Sequence, residues 1–349
     1  MTTLSNKSSS REKGGALLAV LWMSAALAAI AFSVSTTVRG EIDRVSADTD
    51  GLRAHYLASG SVERAIQWML WGWQNVYFNG DGSPKFWGQN QPRLYFRFAT
   101  GDAVVEMIPE SAKLNVNTAT MDNLIRVIQA VGGPQVPAQE IATAITEWHT
   151  GGSSLDSFYL SMSPTFRPPH ASFQEIEELL SVRGMTPELF YGNFVTDAQG
   201  RLYARGGLRD CLSVRGASVG PFDANTASPA LMEAMGVPAA DAERVVELRK
   251  VRAFKNLDEL RKAGIGASQL GVGGNVVWTI RATARLRRPD GSPSEVVRSA
   301  GALVKLLNKD QYFQMPLHVL RYYDDAWSEF AIAPPAAAPL GGFPPQGVR

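Results

Sequence analysis

The sequence predicts an α+β protein, in which a long N-terminal helix packs on an antiparallel sheet and an all-α domain is inserted between the strands. Three observations support this fold class. A charge-free apolar run near the N-terminus continues in helical spacing, alternating strand patterns stand at both ends of the remaining chain, and a repeated helical motif lies between them. At 349 residues, of which 45% are hydrophobic, the chain is long enough for two packed units.

The first predicted element is a membrane-spanning helix at 15–35. Residues 16–34 carry no charge, and at 1.5 Å per residue they span about 28 Å, close to the hydrocarbon thickness of a bilayer. Basic residues precede the run, so the N-terminus is expected in the cytoplasm and the rest across the inner membrane. Apolar residues then recur at helical spacing, which predicts an amphipathic continuation of the same helix over 36–76.

Three interpretations of this segment stay open. A conventional signal peptide would be cut after the apolar run, near Ala29 and Ala31. A plain signal anchor would not be cut, and a third kind of segment is cut at its front edge and kept. The unbroken helix favours the third interpretation, because a signal peptide that is removed has no need of such continuity.

The N-terminus resembles that of type IV pilin-like proteins. The resemblance implies that a prepilin peptidase removes a basic leader, 1–14, by cutting between Gly14 and Gly15, and that the new N-terminus is methylated. The fifth mature residue is Ala19, where most pilins carry glutamate. A carboxylate in the bilayer is costly unless a partner meets it, so its absence suits a subunit at a pilus tip with no neighbour above it.

Two hairpins are predicted from alternating patterns. Residues 93–108 alternate on either side of Thr-Gly-Asp, and 277–307 alternate around Pro-Asp-Gly-Ser. We therefore expect 77–112 and 268–325 to supply the sheet, with a helical insertion at 113–267. The Pro- and Ala-rich tail, 333–349, is expected to be disordered.

The insertion contains an internal repeat. The segment "KLNVNTATMDNL" at 113–124 matches "PFDANTASPALM" at 221–232, and second halves begin at Phe173 and Phe254. The two repeats, 113–190 and 221–266, resemble helix-hairpin-helix or SAM-like modules, which bind DNA in some proteins and other proteins elsewhere. Seven basic residues make the second repeat the better DNA candidate: Arg244, Arg249, Lys250, Arg252, Lys255, Arg261 and Lys262. The net charge of +1 and the membrane anchor do not favour a nucleic-acid partner.

The order of the motifs over residues 11–325 resembles the minor pseudopilin K family of type II secretion systems. The motifs are "LASGSVERAIQWML" from 57, "KLNVNTA" from 113, "SVRGMTPELFYG" from 181, "DCLSVRG" from 210, "FDANTAS" from 222 and "WTIRATARL" from 278. The resemblance implies a pilin-like fold with an inserted helical domain in the periplasm. It also implies a place at the pseudopilus tip with minor pseudopilins I and J, above the major pseudopilin, for protein export across the outer membrane. A type IV pilus or competence minor pilin that contacts DNA is the alternative.

Metal and catalytic sites find little support in the sequence. Some members of the family bind calcium in the inserted domain, and Glu147 and Asp156 are the weak candidates here, although one of the family's acidic residues is replaced. The chain carries no nucleophile elbow, Walker loop or Cys/His metal pattern. The glutamates at 175, 177 and 178 are interpreted as a solvated face, so we expect no enzyme and no required cofactor.

Overall fold

The computed structural model describes residues 9–74, 85–88, 91–150, 154–196, 200, 202–266, 268–274, 276–307 and 316–326, with side chains except at 9–14, 73–74 and 202–204. Residues 1–8 of the predicted leader and the predicted tail 333–349 lie outside the described residues. The chain divides into two compact units, residues 1–53 and residues 54–349.

A single helix, α1, occupies Ser9–Gln74. Its residues from 15 to 49 are exposed, and it is long and apolar enough to cross a membrane. Hydroxyl groups in this segment bond to carbonyls of their own helix: the Ser24 hydroxyl donates to Val20 O at 2.5 Å. Such bonds leave no polar group unsatisfied in an apolar surrounding. The predicted long N-terminal helix is confirmed, and it fits a single-pass membrane anchor.

The second unit contains a five-stranded antiparallel sheet in the order β1-β2-β9-β10-β11. The strands are β1 Arg93–Arg97, β2 Gly101–Pro109, β9 Val277–Arg287, β10 Pro293–Leu306 and β11 Leu317–Tyr323. The long connection between β2 and β9 contains the helices. The prediction of a mixed fold with helices and an antiparallel sheet is therefore confirmed.

The part of α1 from Ala58 to Met69, about three helical turns, covers one face of this sheet. Ala58, Val62, Ala65 and Met69 are buried at spacings of four, three and four, as helical geometry requires for one face. They pack with residues that alternate along the strands, including Trp278, which is fully buried. The side of the contact is closed by Arg64, whose guanidinium lies 4.8 Å from the centre of the Phe96 ring.

The connection between β2 and β9 forms the helical segment and has its own core. Its elements are two 3-10 helices, Glu110–Ala112 and Ile176–Ser181, and the helices α2 Met121–Gly132, α3 Ala138–His149, α4 Asp156–Leu160, α5 Pro187–Tyr191, α6 Leu208–Cys211, α7 Pro229–Ala234, α8 Ala239–Val251 and α9 Leu257–Lys262. Short strands link them: β3 Leu114–Asn115, β4 Gly192–Thr196, β5 Leu202–Gly206, β6 Leu212–Ser213, β7 Phe222–Asp223 and β8 Leu270–Gly271. Assignment of this segment to the helix-hairpin-helix or SAM-like class stays a prediction.

Candidate functional site

The two matching segments of sequence make equivalent hydrogen bonds. The Asn117 amide accepts from Phe173 N at 2.8 Å and donates to Phe173 O at 3.0 Å. In the same way, Asn225 accepts from Phe254 N at 2.8 Å and donates to Phe254 O at 3.0 Å. Each asparagine thus joins the second half of its repeat to the first by two hydrogen bonds, which explains why both segments contain it.

The helix that follows each asparagine starts at an equivalent cap. The Thr120 hydroxyl accepts from Asn123 N at 3.3 Å at the start of α2, and the Ser228 hydroxyl accepts from Leu231 N at 3.1 Å at the start of α7. Each cap satisfies one of the amide groups that the first helical turn leaves unbonded.

The acidic residues after Phe173 have structural roles. The Glu178 carboxylate accepts from the backbone N–H groups of Gln174 and Glu175, both at 2.9 Å. Glu175 and Glu177 face Arg321 on β11, at 2.5 Å and 3.6 Å. The interpretation of these glutamates as a solvated face stays a prediction: Glu175 is exposed, Glu177 and Glu178 are half-buried, and each has a polar partner.

Several of the seven basic residues in the second repeat are already engaged. Arg249 donates to the carbonyls of Ala224 and Ala227, at 3.0 Å and 2.7 Å. Three others form ion pairs with carboxylates: Lys250 with Glu247 at 2.6 Å, Arg252 with Glu259 at 3.1 Å and Arg261 with Asp258 at 3.1 Å. These pairs reduce the positive field that a phosphate backbone would meet.

The helical segment is joined to the sheet through a buried carboxylate, Glu110. The Thr279 hydroxyl of β9 donates to it at 2.6 Å, the Ser213 hydroxyl of β6 also donates to it, and Lys113 lies 3.3 Å away. Burial by itself raises the pKa of Glu110, but Lys113 and the two hydroxyls outweigh burial, and the pKa lies below its ordinary value.

A second link lies around Arg281 of β9. Its guanidinium donates to both oxygens of Glu106, at 2.7 Å and 2.9 Å, and lies 3.6 Å from Asp210 of α6. These groups line a cavity of about 430 Å³ between the sheet and the helical segment. The lining of the cavity carries charges of both signs.

The calcium candidates do not form a cluster with further acidic groups. Glu147 accepts from the Ser154 hydroxyl at 3.2 Å, and Asp156 faces the His170 imidazole at 3.2 Å. Across the described parts of the chain, no three His, Cys, Asp or Glu side chains stand together in a way that could hold a metal. Cys211 is buried, and burial raises the pKa of its thiol to about 12, so the protonated form is favoured at neutral pH.

The residues predicted for processing and assembly lie on the first unit's helix. Gly14, Gly15 and Ala19 all belong to α1, and both Gly15 and Ala19 are exposed. Further along, an apolar stripe remains uncovered, with exposed fractions of 49% at Val38, 62% at Ile42, 61% at Val45 and 55% at Leu52. These residues recur at the helical spacing that predicts one apolar face.

Comparison with known proteins agrees with these features. Residues 103–191 match the family model described as "Type II secretion system (T2SS), protein K". No curated protein gives a significant match. Among solved structures, the chain is similar to the crystal structure of the GspK-GspI-GspJ complex from the type 2 secretion system of enterotoxigenic Escherichia coli, with 16% identity, a TM-score of 0.48, and coverage of 82% of this chain and 100% of that one. The family match confirms the resemblance found in the sequence: residues 103–191 are similar to protein K of type II secretion systems.

Proposed function

We propose that this protein is the minor pseudopilin at the tip of a type II secretion pseudopilus, where it initiates or caps assembly for protein export across the outer membrane. The observation that carries the proposal is the uncharged apolar run of α1 at 16–34, with Ala19 where most pilins carry glutamate. A subunit with this helix loses nothing when no neighbour lies above it.

The helical segment supports a terminal position. It adds two packed repeats to the five-stranded sheet, and its links through Glu110 and Arg281 attach it to the strands. Bulk of this kind on the sheet unit is expected to exclude a further subunit, whereas a subunit within the filament must accept neighbours on both sides.

The partners that follow from this role are minor pseudopilins I and J and, below them, the major pseudopilin. The stripe formed by Val38, Ile42, Val45 and Leu52 offers them an apolar helix face. The basic residues before the apolar run support an orientation with the N-terminus in the cytoplasm and the sheet unit in the periplasm.

The test is mass spectrometry of the mature N-terminus, on membranes from cells with and without the prepilin peptidase. We expect a chain that begins at Gly15, and only where the peptidase is present. A start near Thr36 would indicate a conventional signal peptide, and an uncleaved chain in both membranes would indicate a plain anchor. Either result would contradict the tip-subunit proposal.

The second candidate function, DNA contact by the helical repeats, has one structural feature in its favour. Gly236 and Gly264 hold φ angles of +92° and +74° at tight turns after α7 and α9, the backbone that phosphate-binding hairpins use. The ion pairs of Lys250, Arg252 and Arg261 count against it. Fluorescence anisotropy with duplex DNA at physiological ionic strength decides: tight binding would support the alternative, and we expect none.

A further inference from the structure

The outer edge of β11 presents backbone groups that no other strand uses among the residues that the structure describes. Leu307 N donates to Pro316 O at 2.7 Å, and Val304 stands opposite Val319 in the ladder with β10. Because hydrogen bonds alternate sides along an antiparallel strand, the N–H and C=O groups of Leu317 and Val319 point away from β10. After a bulge at Leu320, those of Tyr322 do the same.

These outward groups are open to a partner. In the part of the chain that the structure describes, the backbones of Leu317, Val319 and Tyr322 make no turn or loop hydrogen bond. An exposed strand edge of this kind is a template for another strand. The strand contains neither proline nor lysine, the two residues that commonly protect an edge from pairing.

The strand is held in place from two directions. Arg321 lies 2.5 Å from Glu175 of the helical segment, and the Tyr322 hydroxyl donates to Glu63 of α1 at 2.7 Å. An edge that is already fixed loses little conformational entropy when a partner binds, which favours association.

The surface beside this edge is apolar, with an acidic border. Leu320, Tyr322 and Tyr56 are 40%, 54% and 67% exposed. Tyr56 lies two helical turns before Glu63 on α1, and therefore on the same face as the contact with Tyr322. Positive charge beside the edge comes from Arg321 and from the exposed Lys305 of β10, which stands opposite His318. Five carboxylates border the edge, and they are Glu63, Glu175, Glu177, Asp324 and Asp325.

We infer that the edge of β11 accepts an extended strand from a neighbouring minor pseudopilin, in which apolar residues alternate with lysine or arginine. The inference rests on the proposed function, since it assigns that partner to this surface. Apolar side chains of the incoming strand meet Leu320 and Tyr322, and its basic side chains meet the carboxylate border. The bulge at Leu320 divides the pairing into two short stretches around Val319 and Tyr322.

The test is amide hydrogen exchange of residues 317–323, measured on the full chain in detergent, alone and with minor pseudopilins I and J of the same secretion system. We expect exchange in this segment to slow when the complex forms. An unchanged rate in a complex that does form would overturn the inference and leave the proposed function standing. If no complex forms, the proposed function falls, and the inference with it.

A pair of substitutions separates backbone pairing from side-chain contact. Val319→Pro removes an N–H that the sheet does not use, so the fold is retained, and Val319→Ala shortens the side chain but keeps the N–H. We expect the proline variant to raise the Kd for the partners about tenfold relative to the alanine variant, as the loss of a hydrogen bond at a binding edge predicts.

Two results would contradict strand addition. Equal affinity of the two variants would mean that the backbone of Val319 takes no part in binding. Exchange of 317–323 that becomes slower in the chain alone as its concentration rises would mean that a second copy of the chain occupies the edge instead. Thermal unfolding of both variants checks that the sheet remains intact.

Discussion

Glu110 is a buried carboxylate whose charge is stabilised. Its pKa is depressed in the folded chain by Lys113, Ser213 and Thr279, in excess of the opposing effect of burial. The charged form therefore stabilises the fold above the unfolded pKa of about 4.5, and that contribution is lost as the pH falls through the lower folded pKa. We expect Glu110→Gln to lower the free energy of unfolding at pH 7 by about 3 kcal/mol, because it leaves Lys113 without its charge partner.

Chemical denaturation of the full chain at pH 7 and at pH 4 measures this effect. The variant should also lose part of the dependence of stability on pH. Glu295, whose side chain is 81% exposed, supplies the control, since Glu295→Gln should change neither quantity. Equal curves for Glu110→Gln and the unaltered chain would show that the charge of Glu110 is dispensable.

Asp223 is a buried carboxylate of the opposite kind. Burial raises its pKa, and the hydrogen bonds from the Thr226 hydroxyl and Gly273 N reduce that rise without cancelling it. Above the unfolded pKa, the charge of Asp223 therefore lowers the stability of the fold. The first repeat has a neutral residue, Asn115, at the equivalent position. We expect Asp223→Asn to unfold at pH 7 at the same or a higher denaturant concentration. A loss as large as that of Glu110→Gln would contradict this reading of the site.

At the level of elements, the paired caps predict matched effects on the two repeats. Thr120→Ala and Ser228→Ala each remove the acceptor at the start of a helix, α2 or α7, and should each cost about 1 kcal/mol. Thr143 offers the control, because its hydroxyl bonds to Gln139 O within α3 and caps nothing. Denaturant midpoints of the three variants check the prediction, and a Thr143→Ala change as large as the other two would refute it.

The sequence identifies those elements whose pattern is local. The alternation in 93–108 and 277–307 predicts the hairpins that become β1–β2 and β9–β10, and helical spacing predicts α1. Strand β11 has a weaker signal, because "LHVLRYY" does not alternate strictly, and its conformation depends on pairing with β10 across a bulge. Local propensity says nothing about such pairing.

Contacts across the chain explain what the sequence leaves undecided about the site. The spacing of Lys250 from Glu247 could have indicated an ion pair, since three residues separate them on one helix. The contact of Arg321 with Glu175 joins residues 146 apart, and no spacing rule anticipates it. The contact of these glutamates with Arg321 therefore has no signal in the local sequence.

On the scale of the second unit, a few polar links join two separate hydrophobic cores. One core lies under α1 and the sheet and the other within the helical segment, and Glu110, Arg281 and Arg321 connect the elements around them. If these links couple the two cores, the cores should unfold together in one cooperative transition. The proposed capping role requires that coupling, because a helical segment that opened independently would no longer exclude a neighbour.

Arg281→Met tests this coupling. The substitution leaves the buried Glu106 carboxylate without its bidentate partner and removes the neighbour of Asp210, a loss of about 3–5 kcal/mol for a broken buried pair. We expect hydrogen exchange of the unaltered chain to show one cooperative opening of both cores, and the variant to open the helical segment at lower denaturant than the sheet. Arg288→Met, at a mostly exposed pair with Glu295, is the matched control and should leave the single opening unchanged. Separate opening of the two cores in the unaltered chain would contradict rigid attachment of the helical segment as the basis of the proposed capping role.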